Sequence, residues 1–281
     1  MNGIDISRWN KVDLSKVPCD FVIVKATQGT GYVSPTYQSQ IAQADNLGKL
    51  LGVYHYASSG GAIAEAKHFL NTVKDYIGKA IMVLDWEGEQ NSNFKNPEYA
   101  LSWLRYVKQE TGITPFIYMS KSVCRQYASV WDASYPLWCA QYKNQQPSSY
   151  QENPWTDAKG FGAWDSPLIY QYSSKGQLDG YSGNLDLDKA YINAEVWKAY
   201  ASGGKVKEEV DDILTPTLRK GDCNEYVRSW QRYLISHGYD CGKSGADGKF
   251  GNDTEKAVIK YQQDHGMEAG YIGSQTWATL Q

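Results

Sequence analysis

The sequence lacks the features that mark several large classes of protein. Its 281 residues carry a net charge of −3, without the basic balance that is typical of nucleic-acid-binding proteins. No apolar run approaches the roughly 18 residues of a membrane-spanning helix. The chain starts without a basic and apolar leader, which predicts a protein made in the cytoplasm without a signal peptide. We therefore expect a globular protein with neither nucleic acid nor membrane insertion among its interactions.

Side chains that bind metals or form disulfides are few and scattered. The five cysteines have no zinc or redox spacing, and their odd number favours free thiols, although Cys223 and Cys241 are close enough in sequence to pair. The four histidines form no HExxH motif, and no Asp-rich calcium loop is present. A GxSxG nucleophile elbow and a phosphate-binding glycine loop are also missing. We predict no cofactor and no metal.

Short apolar runs alternate with amphipathic or polar stretches up to about Asn193. Helical periodicity over residues 36–47, 61–74 and 97–111 indicates βα units, and eight strands of this kind predict a closed α/β barrel. The later connections look irregular, and the composition of residues 173–182 predicts a turn. We therefore expect hairpin-connected strands in the last third of the barrel. The predicted strands are residues 3–7, 21–25, 51–56, 80–87, 115–119, 137–140, 168–172 and 183–187.

The pattern changes after residue 200, where glycine, serine and mixed charge replace the strand–helix alternation. This composition predicts a linker over residues 201–216, between a domain of residues 1–200 and a domain of residues 217–281.

The second predicted domain is small and all-α. Helical spacing predicts a first helix over 222–236, and Asn252 begins a second helix with the pattern of a capping box. Ser274 is expected to cap a third, short helix that carries Trp277 and Leu280. Roughly 65 residues in three helices are just enough to sustain a core.

The tripeptide Asp85-Trp86-Glu87 ends the most apolar predicted strand. Alternation along a strand puts both carboxylates on one side, with Cα atoms roughly 6.7 Å apart, near the spacing of carboxyl pairs that cleave glycosidic bonds. On its own the tripeptide is equally compatible with a strand end that meets water. Asp5 and Asp186 lie in the first and last strands, which are neighbours in a closed barrel, so four carboxyl groups are expected to converge. Their repulsion would raise at least one pKa, as a general acid requires.

Tyrosine and tryptophan are abundant, with 22 Tyr and 10 Trp against 6 Phe. Most are expected to fill the core, but several follow the same strand ends as the carboxylates. Aromatic faces with polar tips suit a saccharide cleft, in which sugar rings stack and hydroxyl groups meet carboxylates. His55 alternates with two of these tyrosines and is interpreted as structural. The candidate substrate-binding residues are Tyr54, Tyr56, Tyr118, Trp138, Tyr142 and Gln171.

Taken together, these stretches resemble the glycoside hydrolase family 25 lysozymes, the N-acetylmuramidases common in phage endolysins and bacterial autolysins. The resemblance covers about residues 1–195 and follows the motif order of the family. Asp188 stands where the last motif of the family usually ends in Asn. The matching stretches are Gly3–Asn10, Phe21–Gly29, Gly52–Ala57, Leu84–Glu87, Ile117–Tyr118, Leu137–Tyr142, Tyr170–Tyr172 and Leu185–Asp188.

This resemblance implies a flattened, TIM-like β/α barrel whose last strands are partly antiparallel. It implies cleavage of the β-1,4 bond between N-acetylmuramic acid and N-acetylglucosamine in bacterial peptidoglycan. Glu87 would be the general acid/base, and Asp85 would either attack carbon 1 or orient the substrate's N-acetyl group, with Asp5 and Asp186 completing the acidic floor. The missing leader fits an endolysin made in the host cytoplasm that acts on the cell wall. A chitinase-like hydrolase and a non-catalytic wall-binding protein are the alternatives.

The second domain resembles the three-helix peptidoglycan-binding domain found on many wall hydrolases. The implied role is to hold the enzyme on its insoluble polymer and so raise the effective substrate concentration. The matching stretches are Leu218–Gly221, Val227–Gln231, Asp247–Gly251, Thr254, Ala257–Val258, Tyr261–Gln262 and Gly273–Trp277.

Overall fold

The computed structural model describes residues 1–204, 217–267, 270–273, 276 and 279. These residues form two compact units, one within residues 1–204 and one from residue 217 onward, and each has its own apolar core. Most of the predicted linker, residues 205–216, lies outside the described residues. In the part of the chain that is described, no helix has the length and apolar character needed to cross a membrane.

The first unit alternates strands with helices. Its strands are β1 (Asn2–Ile6), β2 (Phe21–Gln28), β3 (Tyr32–Val33), β4 (Leu50–Tyr56), β5 (Ala80–Asp85), β6 (Phe116–Ser120), β7 (Leu137–Ala140), β8 (Ile169–Gly176) and β9 (Leu185–Ala190). Its helices are α1 (Tyr37–Asn46), α2 (Ala62–Val73), α3 (Pro97–Thr111), α4 (Lys121–Gln126) and α5 (Ala194–Ser202), with a 3₁₀ turn at Lys74–Tyr76. Helices α1 to α3 are the three that the sequence predicts, whereas α4 and α5 have no predicted counterpart.

Eight of these strands form the predicted closed barrel. Their order is β1-β9-β8-β7-β6-β5-β4-β2, and pairing of β1 with β2 completes the circle. Strand β9 runs antiparallel to both β1 and β8, which confirms that the end of the barrel is irregular. The short strand β3 adds to the edge of β2.

Several predicted boundaries are wrong. Strand β5 ends at Asp85 and not at Glu87, although the Trp86 amide still donates a hydrogen bond to the Tyr118 carbonyl at 2.9 Å. Strand β8 continues through Gly176, where a turn was predicted, because its pairing with β9 tolerates two shifts of register. A Cβ atom on Gly176 would lie 2.4 Å from the Leu187 side chain, so this close pairing requires glycine. Helix α5 also includes the first two residues of the predicted linker.

The amino-terminal mouth of the barrel is closed by α5. Trp197 of this helix is fully buried, stacks 4.6 Å from the Phe21 ring and donates its indole N–H to the Leu51 carbonyl at 2.9 Å. Tyr200 packs edge-on against Phe116, with ring centroids 5.2 Å apart. Because Phe21, Leu51 and Phe116 lie at or next to the starts of their strands, α5 fills this end with aromatic side chains.

The second unit contains helices α6 (Glu225–Ser236) and α7 (Asn252–Asp264). The Asn224 side chain caps α6 by accepting a hydrogen bond from the Val227 amide at 3.0 Å. The predicted third helix, from Ser274, lies outside the described residues except at isolated positions. The apolar core of this unit comprises Leu218, Val227, Trp230, Leu234, Cys241, Phe250, Ala257, Val258, Tyr261 and Ile272.

The capping box predicted at Asn252 does not form. Helix α7 begins at Asn252 itself, without a side-chain cap. Thr254 is buried and accepts a hydrogen bond from the Gln231 amide at 2.8 Å, while Glu255 pairs with Lys220 at 2.8 Å. Both residues are therefore used in tertiary contacts.

All five cysteines are free thiols, and of these only Cys223 is exposed. Cys241 is buried in the core of the second unit. The two cysteines for which pairing was left open are thus not bonded to each other.

Candidate active site

Several carboxyl side chains, among them Asp5, Asp85, Glu87 and Asp186, border one cleft at the carboxyl ends of the parallel barrel strands. Asp5 on β1 stands opposite Asp186 on β9 in the antiparallel register, as expected for the first and last strands of a closed barrel. Asp85 is the last residue of β5, and Glu87 follows it after the buried Trp86. The cleft has a volume of about 800 Å³. The structure thus brings together the four carboxylates that the sequence analysis selected.

The candidate substrate-binding side chains border the same cleft. These are Tyr54, Tyr56, Tyr118, Trp138, Tyr142 and Gln171. Further lining residues were not predicted, and most of them lie on loops, for which strand periodicity carries no signal. These additional residues are Ser7, Arg8, Trp9, Lys25, Gln28, Tyr32, Ser58, Glu89 and Gln90.

Gln171 connects three strands across the floor of the cleft. Its side-chain carbonyl accepts hydrogen bonds from the Tyr118 hydroxyl at 2.8 Å and the Tyr142 hydroxyl at 2.5 Å. Its amide nitrogen donates to the Asp5 carboxyl at 2.6 Å. This arrangement gives the amide oxygen two hydroxyl donors and the amide nitrogen a carboxyl acceptor. The network thereby fixes the position of the Asp5 carboxyl.

A further carboxyl, Asp188, is buried beneath the floor without bordering the cleft, and the sequence analysis did not select it. It is fully buried beside Gln171 and accepts a hydrogen bond from the Trp138 indole at 2.8 Å. Its second oxygen has no hydrogen-bond donor within the described residues. Burial raises the pKa values of Asp188 and Asp5, and the negative charge of Asp188 adds to the rise at Asp5. We therefore expect the two carboxyl groups to hold one proton between them near neutral pH. The period-two spacing of Asp186 and Asp188 is the signal that could have identified it.

Burial raises the pKa values of the carboxyl groups at the cleft. It raises the pKa of Asp85 well above the ordinary value, the Glu87 carboxylate adds to the effect, and the Lys25 ammonium opposes it. Burial, helped by Glu89, also raises the pKa of Glu87. The pKa of Asp186 rises to about 6, again mainly through burial. Carboxyl groups that keep protons near neutral pH can act as general acids.

Lys25 places a cation inside this acidic cleft. Its ammonium group lies 4.5 Å from the centre of the Tyr56 ring and donates a hydrogen bond to the Gln28 side chain at 2.9 Å. Burial lowers the pKa of Lys25, and the charge of Asp85 opposes that decrease. A lysine in the otherwise apolar strand β2 is the sequence signal that could have identified it.

Hydrogen bonds fix the loop that follows Glu87. The Tyr56 hydroxyl donates to the Glu89 carbonyl at 2.5 Å, and the Ser58 hydroxyl donates to the Gln90 carbonyl at 3.2 Å. The Gln28 amide donates to the Gln90 side chain at 3.0 Å. Gln90 has a φ of 58°, a left-handed conformation that costs a non-glycine residue about 1 kcal/mol. These contacts stabilise that conformation beside the cleft.

His55 does not border the cleft. It is fully buried, with Nδ1 2.8 Å from the Thr27 hydroxyl and Nε2 3.0 Å from the Glu65 carboxylate. Burial lowers the pKa of His55. Glu65 also accepts hydrogen bonds from the Ser58 and Gly60 amides, so this group supports the loop after β4. Among the described residues, no group of three or more His, Cys, Asp or Glu side chains could hold a metal ion.

Comparison with known proteins matches the two parts of the chain to two different families. The sequence pattern of the glycosyl hydrolases family 25 matches residues 4–181. The pattern of a peptidoglycan binding domain matches residues 224–280.

Individual relatives agree with these matches. The uncharacterized protein YegX of Escherichia coli K12 is 31% identical over 216 residues, which are 73% of this chain and 75% of that protein. The autolytic lysozyme of Clostridium acetobutylicum is 26% identical over 271 residues, 95% of this chain and 74% of the relative.

Solved structures share the fold of the first unit. A bacterial lysozyme from Streptomyces coelicolor has a TM-score of 0.60 at 23% identity and covers 72% of this chain and 97% of its own. A muramidase from Trichobolus zukalii has a TM-score of 0.56 at 26% identity, with coverage of 72% and 99%. The chain therefore belongs to the glycosyl hydrolases family 25, as a glycoside hydrolase that also carries a peptidoglycan-binding domain.

Proposed function

We propose that the protein is a lysozyme that cleaves the β-1,4 bond between N-acetylmuramic acid and N-acetylglucosamine in bacterial peptidoglycan. The observation that carries this proposal is the convergence of Asp85 and Glu87 on one open cleft lined by tyrosine and tryptophan. The family supports glycoside hydrolysis, and the second matched domain supports peptidoglycan as the polymer. Relatives named as lysozymes and a muramidase support the same substrate.

Glu87 is the general acid and base in this proposal. It is half-buried at the cleft, so its carboxyl can reach both the glycosidic oxygen and a water molecule. Its raised pKa favours the protonated form that the first step requires. Glu87 donates its proton to the leaving oxygen and later removes a proton from the water that attacks carbon 1.

Asp85 orients the N-acetyl group of the sugar that is cleaved. One of its carboxyl oxygens is buried and has no hydrogen-bond donor within the described residues, although Asp85 borders the cleft. The amide N–H of an N-acetyl sugar would supply that donor. The acetyl carbonyl oxygen then attacks carbon 1, an oxazolinium ion forms, and water reopens it with retained configuration. The nearby ammonium group of Lys25 favours the ionised form of Asp85 that stabilises this cation.

The other predicted residues bind the saccharide in this scheme. Asp5 and Asp186 accept hydrogen bonds from sugar hydroxyl groups, with Asp5 positioned by Gln171. The four tyrosine candidates (Tyr54, Tyr56, Tyr118 and Tyr142) line the walls against which sugar faces pack. Trp138 is only 2% exposed and supports these walls from behind, with its ring centre 4.5 Å from that of Tyr118. The second domain keeps the enzyme on the bacterial cell wall and raises the local concentration of glycan strands.

Product analysis tests this function. Purified peptidoglycan is digested with the wild type and with Glu87→Gln, and the products are reduced and analysed by mass spectrometry. We expect N-acetylmuramic acid at every new reducing end, and a rate for Glu87→Gln that is lower by about 10²- to 10⁴-fold. New ends of N-acetylglucosamine would contradict the proposed bond, and equal rates would contradict the role of Glu87. Release of fragments from chitin alone would favour the chitinase-like alternative, and an inactive wild type would favour a wall-binding protein.

A further inference from the structure

One side of the cleft carries an exposed tryptophan that the proposed chemistry does not use. Trp9 is 76% exposed, whereas Trp86, Trp103, Trp138 and Trp197 in the same unit are fully buried. It lies in the turn that follows β1 and borders the cleft together with Arg8 and Tyr32. A large aromatic side chain left in water makes no contribution to the core, which directs attention to a role in binding.

The turn that presents Trp9 is fixed by a buried amide. Gln40 of α1 is 6% exposed, and its amide nitrogen donates to the carbonyls of Ser7 and Asn10 at 3.0 and 2.9 Å. The Thr36 hydroxyl donates to the Gln40 carbonyl at 2.9 Å, which fixes the orientation of the amide. Within the turn, the Asn10 side chain accepts from the Ser7 amide at 3.0 Å. The exposure of Trp9 is therefore built into a well-supported turn.

Arg8 places a cation on one face of this tryptophan. Its guanidinium carbon lies 4.3 Å from the centre of the Trp9 ring and 5.8 Å from the centre of the Tyr32 ring. The Arg8 side chain is exposed and forms no ion pair or hydrogen bond with any described residue. Its five N–H donors are thus available to a ligand, while the stacking on Trp9 restricts their position.

We propose that Arg8 and Trp9 form an additional glycan subsite at the edge of the cleft, in which Trp9 stacks on a sugar ring and Arg8 pairs with the free lactyl carboxylate of a muramic acid residue that carries no stem peptide. The inference rests on the proposed function, because it assigns a second point of contact to the same peptidoglycan strand. The aromatic face suits the C–H groups of any sugar ring. The planar guanidinium suits a carboxylate, which a muramic acid residue carries and a chitin residue lacks.

The subsite would therefore act as a selectivity element. The floor of the cleft is acidic, with Asp5, Asp85, Glu87 and Asp186, so an anionic strand gains little there. Arg8 adds a positive charge at the edge of the cleft, in addition to that of Lys25, and unlike the partly buried Lys25 it is exposed to a ligand. Neutral and anionic glycans of equal length should consequently differ in their dependence on Arg8, and should depend on Trp9 to a similar degree.

Two tetrasaccharides test the proposal by calorimetric titration. One alternates N-acetylglucosamine with N-acetylmuramic acid and carries free lactyl carboxylates, and the other is chitotetraose, which has the same backbone without them. The full chain with Glu87→Gln serves as the parent, and Trp9→Ala, Arg8→Gln and Trp155→Ala are added to it. Trp155 is 39% exposed but does not border the cleft, so it is the matched control. Binding by the second domain contributes equally to all variants.

We expect Trp9→Ala to raise Kd for both ligands by about tenfold, which corresponds to about 1.4 kcal/mol. Arg8→Gln should raise Kd for the muramic acid ligand by about fivefold, an effect that weakens in salt, and leave chitotetraose within about twofold. Affinities of both variants equal to the parent would overturn the subsite. An equal loss for both ligands in Arg8→Gln would overturn the carboxylate contact.

The outcome is separable from that of the proposed function because the titration does not require turnover. If the wild type releases muropeptides while these variants bind like the parent, the subsite is wrong and the function stands. If the variants lose affinity as expected while the wild type cleaves no glycan, the subsite stands and the proposed reaction is wrong.

Discussion

The two mouths of the barrel are made from the same strands and have opposite character. At the amino-terminal mouth, Trp197 and Tyr200 of α5 pack on Phe21 and Phe116, and the indole N–H has a backbone acceptor. At the carboxyl-terminal mouth, carboxyl groups and aromatic side chains surround an open cleft of about 800 Å³. One end therefore buries apolar surface, whereas the other buries charge.

This difference separates stability from chemistry along the strand direction. Burial of aromatic surface at the closed mouth stabilises the folded state. Burial of carboxyl groups at the open mouth raises their pKa values, which opposes folding near neutral pH but prepares the groups for proton transfer. Mutations at the closed mouth should therefore mainly reduce stability, whereas mutations at the open mouth should mainly reduce activity. Measuring both properties for variants at each mouth tests this comparison.

The largest expected effect is on stability, at the closed mouth. Trp197→Ala removes a fully buried indole and its hydrogen bond to Leu51, so we expect the free energy of unfolding of the first unit to fall by about 3–5 kcal/mol. Calorimetry measures this change. The same substitution at the open mouth, Trp9→Ala, should alter the free energy of unfolding by less than about 0.5 kcal/mol, because Trp9 is 76% exposed. Equal losses from the two tryptophan variants would contradict the separation.

The second effect is on activity, at the open mouth. Asp85→Asn removes the charge proposed to stabilise the oxazolinium ion, so we expect the rate of peptidoglycan cleavage to fall by about 10²- to 10³-fold. Near neutral pH, Asp85→Asn should be more stable than the wild type, whereas Trp197→Ala should be less stable. The raised pKa of Asp85 means that the wild type loses stability as pH rises above the unfolded value of about 4, and the variant avoids that loss.

Thermal unfolding at two pH values checks the second part of this prediction. The variant should be more stable than the wild type at pH 7, and the difference should shrink near pH 4, where the wild-type carboxyl is protonated in the folded state and about half protonated in the unfolded state. Wild-type activity in Asp85→Asn would contradict the proposed role of Asp85. A stability difference between variant and wild type that favours the variant less at pH 7 than at pH 4 would contradict its raised pKa.

Most of the fold was predictable from local pattern. Short apolar runs located the eight barrel strands, and helical periodicity located α1, α2 and α3. The pattern failed where tertiary contacts decide the conformation. Strand β8 continues through Gly176 because β9 pairs with it, and the predicted capping box of α7 is absent because Asn252 is already helical and Glu255 pairs with Lys220.

The candidate site was predictable where a residue departs from the pattern of its strand. Asp5, Asp85 and Asp186 interrupt apolar strands, and closure of the barrel brings them together. Arg8 and Trp9 were missed because they lie in a turn. Side chains in a turn do not alternate regularly, so the sequence does not show which of them face the cleft. Asp188 was missed because an aspartate near the end of a strand is commonly exposed to water. Its buried partner on another strand, the Trp138 indole, is not apparent from the sequence.

The smallest effect expected is at Asp188, a fully buried carboxyl beneath the open mouth. In Asp188→Asn the side-chain oxygen can still accept from the Trp138 indole, and its amide can donate to Asp5, whose pKa should then fall. We expect one negative charge on the pair in the wild type and one on Asp5 in the variant, so peptidoglycan cleavage at neutral pH should stay within about threefold of wild type, a change of under about 1 kcal/mol.

The pH dependence of stability is the sharper measurement for this variant. Burial raises the folded-state pKa values of Asp5 and Asp188, so their full contribution to stability is present below pH 4 and is lost as pH rises towards those values. We expect the folded wild type to keep one proton on this pair that the variant lacks. The free energy of unfolding of the wild type should therefore fall more steeply as pH rises, by about 1.4 kcal/mol for each pH unit. Melting temperatures at pH 4.5, 5.5 and 6.5 measure the two slopes. Equal slopes would mean that Asp5 and Asp188 share no proton, and a large loss of activity would mean that the charge at Asp188 itself is required at the open mouth.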